Sequence, residues 1–124
     1  MIKNWDFLNL KMDFSSMWSN GEHPIDIDMC LVGRNNFLLI GEIKNERGLL
    51  LDRQRRIIET IIEGWKDNAL AIFVTHDQYV QRGDQIVDVS QCRVKEMFLK
   101  TEGEWRKPKK PRTVREVVDY IKED

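Results

Sequence analysis

Between residues 25 and 44 the chain reads Ile25-Asp26-Ile27-Asp28, then Gly33-Arg34-Asn35-Asn36, then Ile40-Gly41-Glu42-Ile43-Lys44. Acids on one short stretch and Glu-x-Lys on the next, separated by turn-forming residues, fit a β-hairpin. Side chains alternate between the faces of a strand, so Asp28, Glu42 and Lys44 share one face if Asp28 pairs opposite Glu42. The same register sets Asp26 opposite Lys44, and a slip of one residue separates them. Cross-strand neighbours on one face lie about 5 Å apart at Cβ. Two carboxylates at that spacing repel unless a cation or Lys44 bridges them, which predicts a raised pKa or a bound divalent metal. Carboxylates that hold a metal, beside an ammonium that can orient a water, are the groups needed to hydrolyse a phosphodiester. Glu-x-Lys is common by composition alone. Here it follows Phe37-Leu38-Leu39-Ile40 directly, at the end of an apolar strand, where charges line a cleft or a sheet end. The plain alternative is a surface ion pair from Asp26 or Asp28 to Lys44, worth little to stability.

Several elements must position these groups. Leu8, Leu10, Met12 and Phe14 alternate with polar residues, the period of a half-exposed strand, and a polar segment follows from Ser15 to His23. The hairpin strands are expected over Ile25–Val32 and Phe37–Lys44. A helix is expected over Leu50–Lys66, with Ile57, Ile58, Ile61, Ile62 and Trp65 on one stripe and Asp52 near its start. Gln54 falls within that stripe, so its amide must find a partner, face a polar cleft or reach solvent at the helix edge. With the helix packed over the sheet, the cleft is the one holding Glu42 and Lys44. Ala69 to Val74 reads as a buried strand returning parallel to the sheet. Gln85–Ser90 and Arg93–Leu99 read as a helix and a strand, or as two strands. Glu102-Gly103-Glu104 marks a turn, and the stretch around Pro108 and Pro111 is extended. Thr113 with Glu116 forms a capping box that opens a last helix, with Val114, Val117, Val118 and Ile121 inward. The order strand, hairpin, helix, parallel strand makes a mixed α/β domain.

At 124 residues the chain is expected to be one domain, 1–124, able to bury a core without disulfides or a structural metal. The net charge of −1 points neither to nor away from a polyanion. Its distribution is uneven: Arg106 to Arg115 holds six cations and no acid, and Arg47, Arg53, Arg55 and Arg56 form a second cluster. Each is either a polyanion-binding surface or a solvated face. Cys30 and Cys92 have no Cys/His spacing that suits zinc, and are expected to be reduced and at least partly buried. No signal peptide or membrane-spanning run is evident, so a soluble cytoplasmic protein is expected, with no membrane partner. Trp105, followed by Arg106 and Lys107, either stacks on an unpaired base or serves as a capping aromatic.

Asp28, then Glu42-Ile43-Lys44, then a helix bearing Gln54, resembles the PD-(D/E)xK nuclease superfamily with its restriction-endonuclease-like fold. The spacing is most similar to small archaeal-type Holliday-junction resolvases and phage nucleases, and the resemblance covers about residues 25–74. It implies a mixed β-sheet with flanking helices and a metal-dependent endonuclease acting on DNA, including structured or branched DNA. It implies that Asp28, Glu42 and the carbonyl of Ile43 ligate Mg2+ or Mn2+. Lys44 would orient or deprotonate the attacking water, and Gln54 would stand near the metal or the scissile phosphate. A homodimer is expected, with Arg53, Arg106, Lys107, Lys109 and Lys110 on the DNA. The chain departs from the family pattern in two places. Pro24-Ile25-Asp26-Ile27-Asp28 replaces the Pro-Asp pair, leaving Asp26 as a rival to Asp28, although strand spacing favours Asp28. No Glu lies in Met1–Phe7, where many members carry a helical one, and Glu22 is the candidate substitute. The alternative function is a catalytically inactive module of this fold that binds nucleic acid or a protein.

Overall fold

A computed structural model of the chain describes residues 27–45, 47–76 and 87–123. The expected strand over Leu8–Phe14, the segment Ser15–His23, and Glu22, Asp26, Gln85 and Ile86 lie outside the described residues. Five strands, β1 (Met29–Val32), β2 (Leu38–Asn45), β3 (Ala69–His76), β4 (Arg93–Leu99) and β5 (Trp105–Arg106), form one sheet in chain order. β2 and β3 are parallel, and every other neighbouring pair is antiparallel. Helix α1 (Asp52–Gly64) connects the parallel pair, and α2 (Val114–Glu123) follows β5.

The hairpin has the expected register, with Met29 opposite Gly41 and Val32 opposite Leu38. Its turn is a short 3-10 segment, Arg34–Asn36, in which Asn35 and Asn36 take positive φ of 55° and 58°. Asparagine tolerates that left-handed region better than most residues. β3 is apolar on both faces because the sheet is covered on both. Ala69, Ala71 and Phe73 meet Leu38, Ile40 and the α1 residues Ile58 and Ile62. Leu70, Ile72 and Val74 meet Leu39, Val94 and the α2 residues Val114, Val117 and Ile121. The described residues therefore stack as helix, sheet, helix. Full burial of side chains such as Ile62 and Phe73 stabilises by about 1.5–3 kcal/mol each.

Three differences from the sequence expectation have physical causes. α1 ends at Gly64 rather than Lys66, because Trp65 turns to extended backbone and its indole N–H donates to the Asn36 carbonyl at 2.7 Å. Lys100 Nζ then binds the carbonyls of Trp65 and, at 3.0 Å, Asp67, placing a cation at the helix C-terminus. β3 runs on to His76, since Asn45 at the end of β2 gives it a partner. Cys30 is exposed and not partly buried: β1 is an edge among the described strands, and Cys30 points away from the α2 side, to which Met29 and Leu31 turn.

A β-bulge re-phases β4. Glu96 pairs with Phe73 and Val94 with Val74, leaving Lys95 as the extra residue. Val94 thus packs towards α2, whereas Phe98, four residues on, packs towards α1. The described part of Gln85–Ser90, expected as a helix or a strand, is neither: Val89–Gln91 is a short 3-10 turn, capped by Asp88, whose side chain accepts the Ser90 N–H at 3.1 Å. Gly103 (φ 70°) makes the turn, and Thr113 and Glu116 cap α2 reciprocally, Thr113 Oγ1 accepting from the Glu116 amide at 3.3 Å.

Candidate active site

Glu42 is the one charged residue in the buried class among the described residues, 6% exposed. It lies on β2 after Leu38 and Ile40 and on their face, so the alternation that buries the core also carries this carboxylate under the start of α1. Its Oε1 accepts from Gln54 Nε2 at 3.4 Å and lies 3.4 Å from Lys44 Nζ. Both contacts are long, so the carboxylate is only partly compensated.

Asp28 stands just ahead of β1, where continuing the hairpin register puts it opposite Glu42. Its Oδ2 accepts the backbone N–H of Ile43 at 2.7 Å, which anchors the carboxylate beside the Glu-x-Lys segment. Burial first, and the neighbouring Asp28 charge second, raise the Glu42 pKa above its ordinary value, with Lys44 opposing. The raised pKa expected from the sequence is therefore present, with desolvation as its leading cause.

Gln54 is the third residue of α1 and works in two directions. Its Nε2 donates to Glu42, and its Oε1 accepts the Leu51 backbone N–H at 3.1 Å, satisfying one donor at the helix start. Of the placements open to this amide, the fold takes the polar cleft. Gly48, four residues after Lys44, closes on that side chain. A Cβ on Gly48 would lie 2.6 Å from Lys44 Cβ, so the turn following β2 fits only a residue without one. Nothing in the sequence pattern marks that close approach.

Asp28, Glu42, Lys44 and Gln54 are brought together, and Asp26 and Glu22 lie outside the described residues. No group of three or more His, Cys, Asp or Glu side chains with metal-binding proximity occurs among the described residues. The oxygen donors here are two carboxylates and backbone carbonyls, a hard set that suits Mg2+ or Mn2+ better than Zn2+.

The cationic residues are dispersed. Arg106 pairs with Glu102 and Glu104, Arg112 approaches Glu116, and Arg53 is half-buried. Lys107, Lys109 and Lys110 are exposed and form no ion pair among the described residues. The stretch that carries them leaves β5, runs back along β4, and reaches Thr113 opposite Arg93. Arg93 pairs with Thr75, and Thr75 with Lys44, so this basic strip leads to the end of the sheet that bears Lys44. Trp105 serves as a packing aromatic. Its ring lies against Phe98 with centroids 5.4 Å apart and joins the core under α1.

No helix among the described residues is long and apolar enough to cross a membrane. Compared with protein-family models, curated proteins and solved structures, the chain matches none.

Proposed function

We propose that the protein is a divalent-metal-dependent nuclease of the PD-(D/E)xK type, hydrolysing phosphodiester bonds in DNA. The observation that carries this reading is the convergence on Glu42. A buried carboxylate, raised in pKa and only partly compensated, has Asp28, Lys44 and Gln54 around it. A structural ion pair would gain nothing from a second carboxylate at its side, whereas a cation site requires one.

Asp28 and Glu42 would hold Mg2+ or Mn2+. The Ile43 carbonyl would complete the set, because a strand residue directs its N–H and C=O to the same neighbour and the Ile43 N–H is bound to Asp28. A metal held there would supply Lewis-acid polarisation of the phosphoryl group. Lys44, about one-third exposed, keeps its ammonium where it can orient the attacking water and neutralise charge developing on the phosphate. Gln54 fixes the carboxylate through its amide. The strip Lys107–Lys110 supplies phosphate contacts that do not depend on sequence. Structured or branched DNA, cut by a homodimer, is the substrate and assembly this reading carries.

The test is cleavage of plasmid, linear and four-way-junction DNA with Mg2+ or Mn2+, comparing wild type with Lys44→Ala and Glu42→Ala. Metal-dependent cutting that both substitutions abolish supports the assignment. DNA binding without cutting, unchanged by either substitution, overturns it and leaves a binding module.

A further inference from the structure

Gln54 and Arg55 are consecutive residues in the first turn of α1, and each binds an acid on a different strand. Gln54 donates to Glu42 on β2 at 3.4 Å. Arg55 forks onto Glu96 on β4, Nη1 to Oε1 at 3.3 Å and Nη2 to Oε2 at 2.6 Å. The two acids flank the buried Phe73 in a single row across the sheet, Glu42 and Glu96 each pairing with it.

The hold on Arg55 is two-sided. The carboxylate grips the edge of the guanidinium, and the Trp105 ring lies against its face, 4.9 Å from carbon to centroid. Trp105 is fixed in turn by Phe98. Gln54 has no comparable grip of its own. Its bond to Glu42 is long at 3.4 Å and its other bond, at 3.1 Å, is to Leu51 at the start of the same helix, so its place relative to Glu42 follows from where the first turn of α1 lies. Glu96 reaches this side of the sheet only because of the bulge at Lys95. In an unbroken strand it would share the face of Val94 and point towards α2.

We infer that Arg55 and Glu96 are positioning residues for the Glu42 site, a brace that holds Gln54 against the Glu42 carboxylate. The inference rests on the metal-site reading of Asp28 and Glu42 and extends it to a strand two places away.

The experiment measures Mn2+ affinity by titration calorimetry. It also records the Gln54 side-chain amide signal by NMR without metal, in Arg55→Met, Arg55→Lys, Gln54→Ala and the double variant Arg55→Met/Gln54→Ala. Arg55→Met is expected to weaken Mn2+ binding about 10-fold, the low end for residues that orient metal ligands. It should also shift the Gln54 signal. Arg55→Lys keeps the charge and guards against misfolding, but lacks the planar fork, so it should shift the same signal. In the Gln54→Ala background Arg55→Met should cost nothing further, because the path through Gln54 is already gone. Independent, multiplying losses in the double variant, or an unmoved Gln54 signal in both Arg55 variants, would overturn the brace. A wild type that binds no Mn2+ overturns the metal-site reading instead. The metal-free Gln54 signal tells that failure from the other.

Discussion

Glu42→Gln should stabilise the metal-free protein at neutral pH. The substitution keeps volume and shape and removes a charge that the fold buries beside Asp28. Two carboxylates with Cβ atoms about 5 Å apart repel by at most roughly 3 kcal/mol at an effective dielectric of 20, and by less here because Asp28 is exposed. Lys44 offsets part of this, discounted because it is one-third exposed and reaches Glu42 only at 3.4 Å. A net gain of about 1 kcal/mol remains, or about 3–5 °C in Tm for a chain of this size. The pH dependence has a definite direction. The folded pKa of Glu42 lies above the ordinary value of 4.5, so folding takes up a proton in the window between them. The wild type keeps its full stability relative to the variant below 4.5 and loses it as pH rises through the folded pKa. The advantage of Glu42→Gln should therefore appear at pH 8 and vanish in acid. Adding Mg2+ should reverse the order, since a ligand at 100 times its Kd stabilises the native state by about 2.7 kcal/mol and the variant forfeits a ligating oxygen. Thermal melts in EDTA and in excess Mg2+, at pH 8 and pH 4, measure all of this. A Glu42→Gln protein less stable than wild type in EDTA at pH 8, or equally stabilised by Mg2+, would refute the reasoning.

Gly48→Ala places a methyl where Lys44 Cβ already stands, so the lysine must move. Misplacement by about 1 Å can cost on the order of 100-fold in rate, and initial-rate cleavage assays should show a drop of that order, accompanied by a lower Tm because the turn itself must shift. Replacing Lys107, Lys109 and Lys110 together by alanine should weaken DNA binding about equally for all sequences. It should also flatten the dependence of log K on log salt by about one for each phosphate that is no longer neutralised, read by fluorescence anisotropy across a salt series. Thr113→Ala removes the hydroxyl that accepts the Glu116 amide and should cost about 1 kcal/mol in urea unfolding, leaving metal affinity unchanged.

Most of the site could be read from the chain because it sits on regular structure. Alternation along Leu38–Lys44 and the asparagine turn fix the hairpin register, and register alone brings Asp28 to Glu42. Gln54 was visible as an amide within an apolar stripe, a position that demands a partner. Arg55 was visible only as one of a cluster of cations. Its partner depends on the bulge at Lys95, and nothing in the pattern Arg93–Leu99 marks an extra residue. The same limit applies to the end of α1, where the apolar periodicity continues through Trp65 but a tertiary bond to Asn36 draws that residue out of the helix. Gly48 is a third case. Its lack of a side chain matters only because Lys44 folds back over it.

The short β5 strand has a consequence for how the chains behave in a crowd. An open sheet edge offers unpaired N–H and C=O groups to any passing strand. Here the last strand has two residues, and the chain then continues Lys107-Pro108-Lys109-Lys110-Pro111 beside β4. Each proline withholds an N–H, and the exposed lysines repel a second copy of themselves. The strip that would meet phosphate thus also disfavours pairing of a second molecule along this described edge of the sheet. Neutralising the lysines and replacing both prolines by valine would therefore make the protein prone to assemble into fibres along this edge.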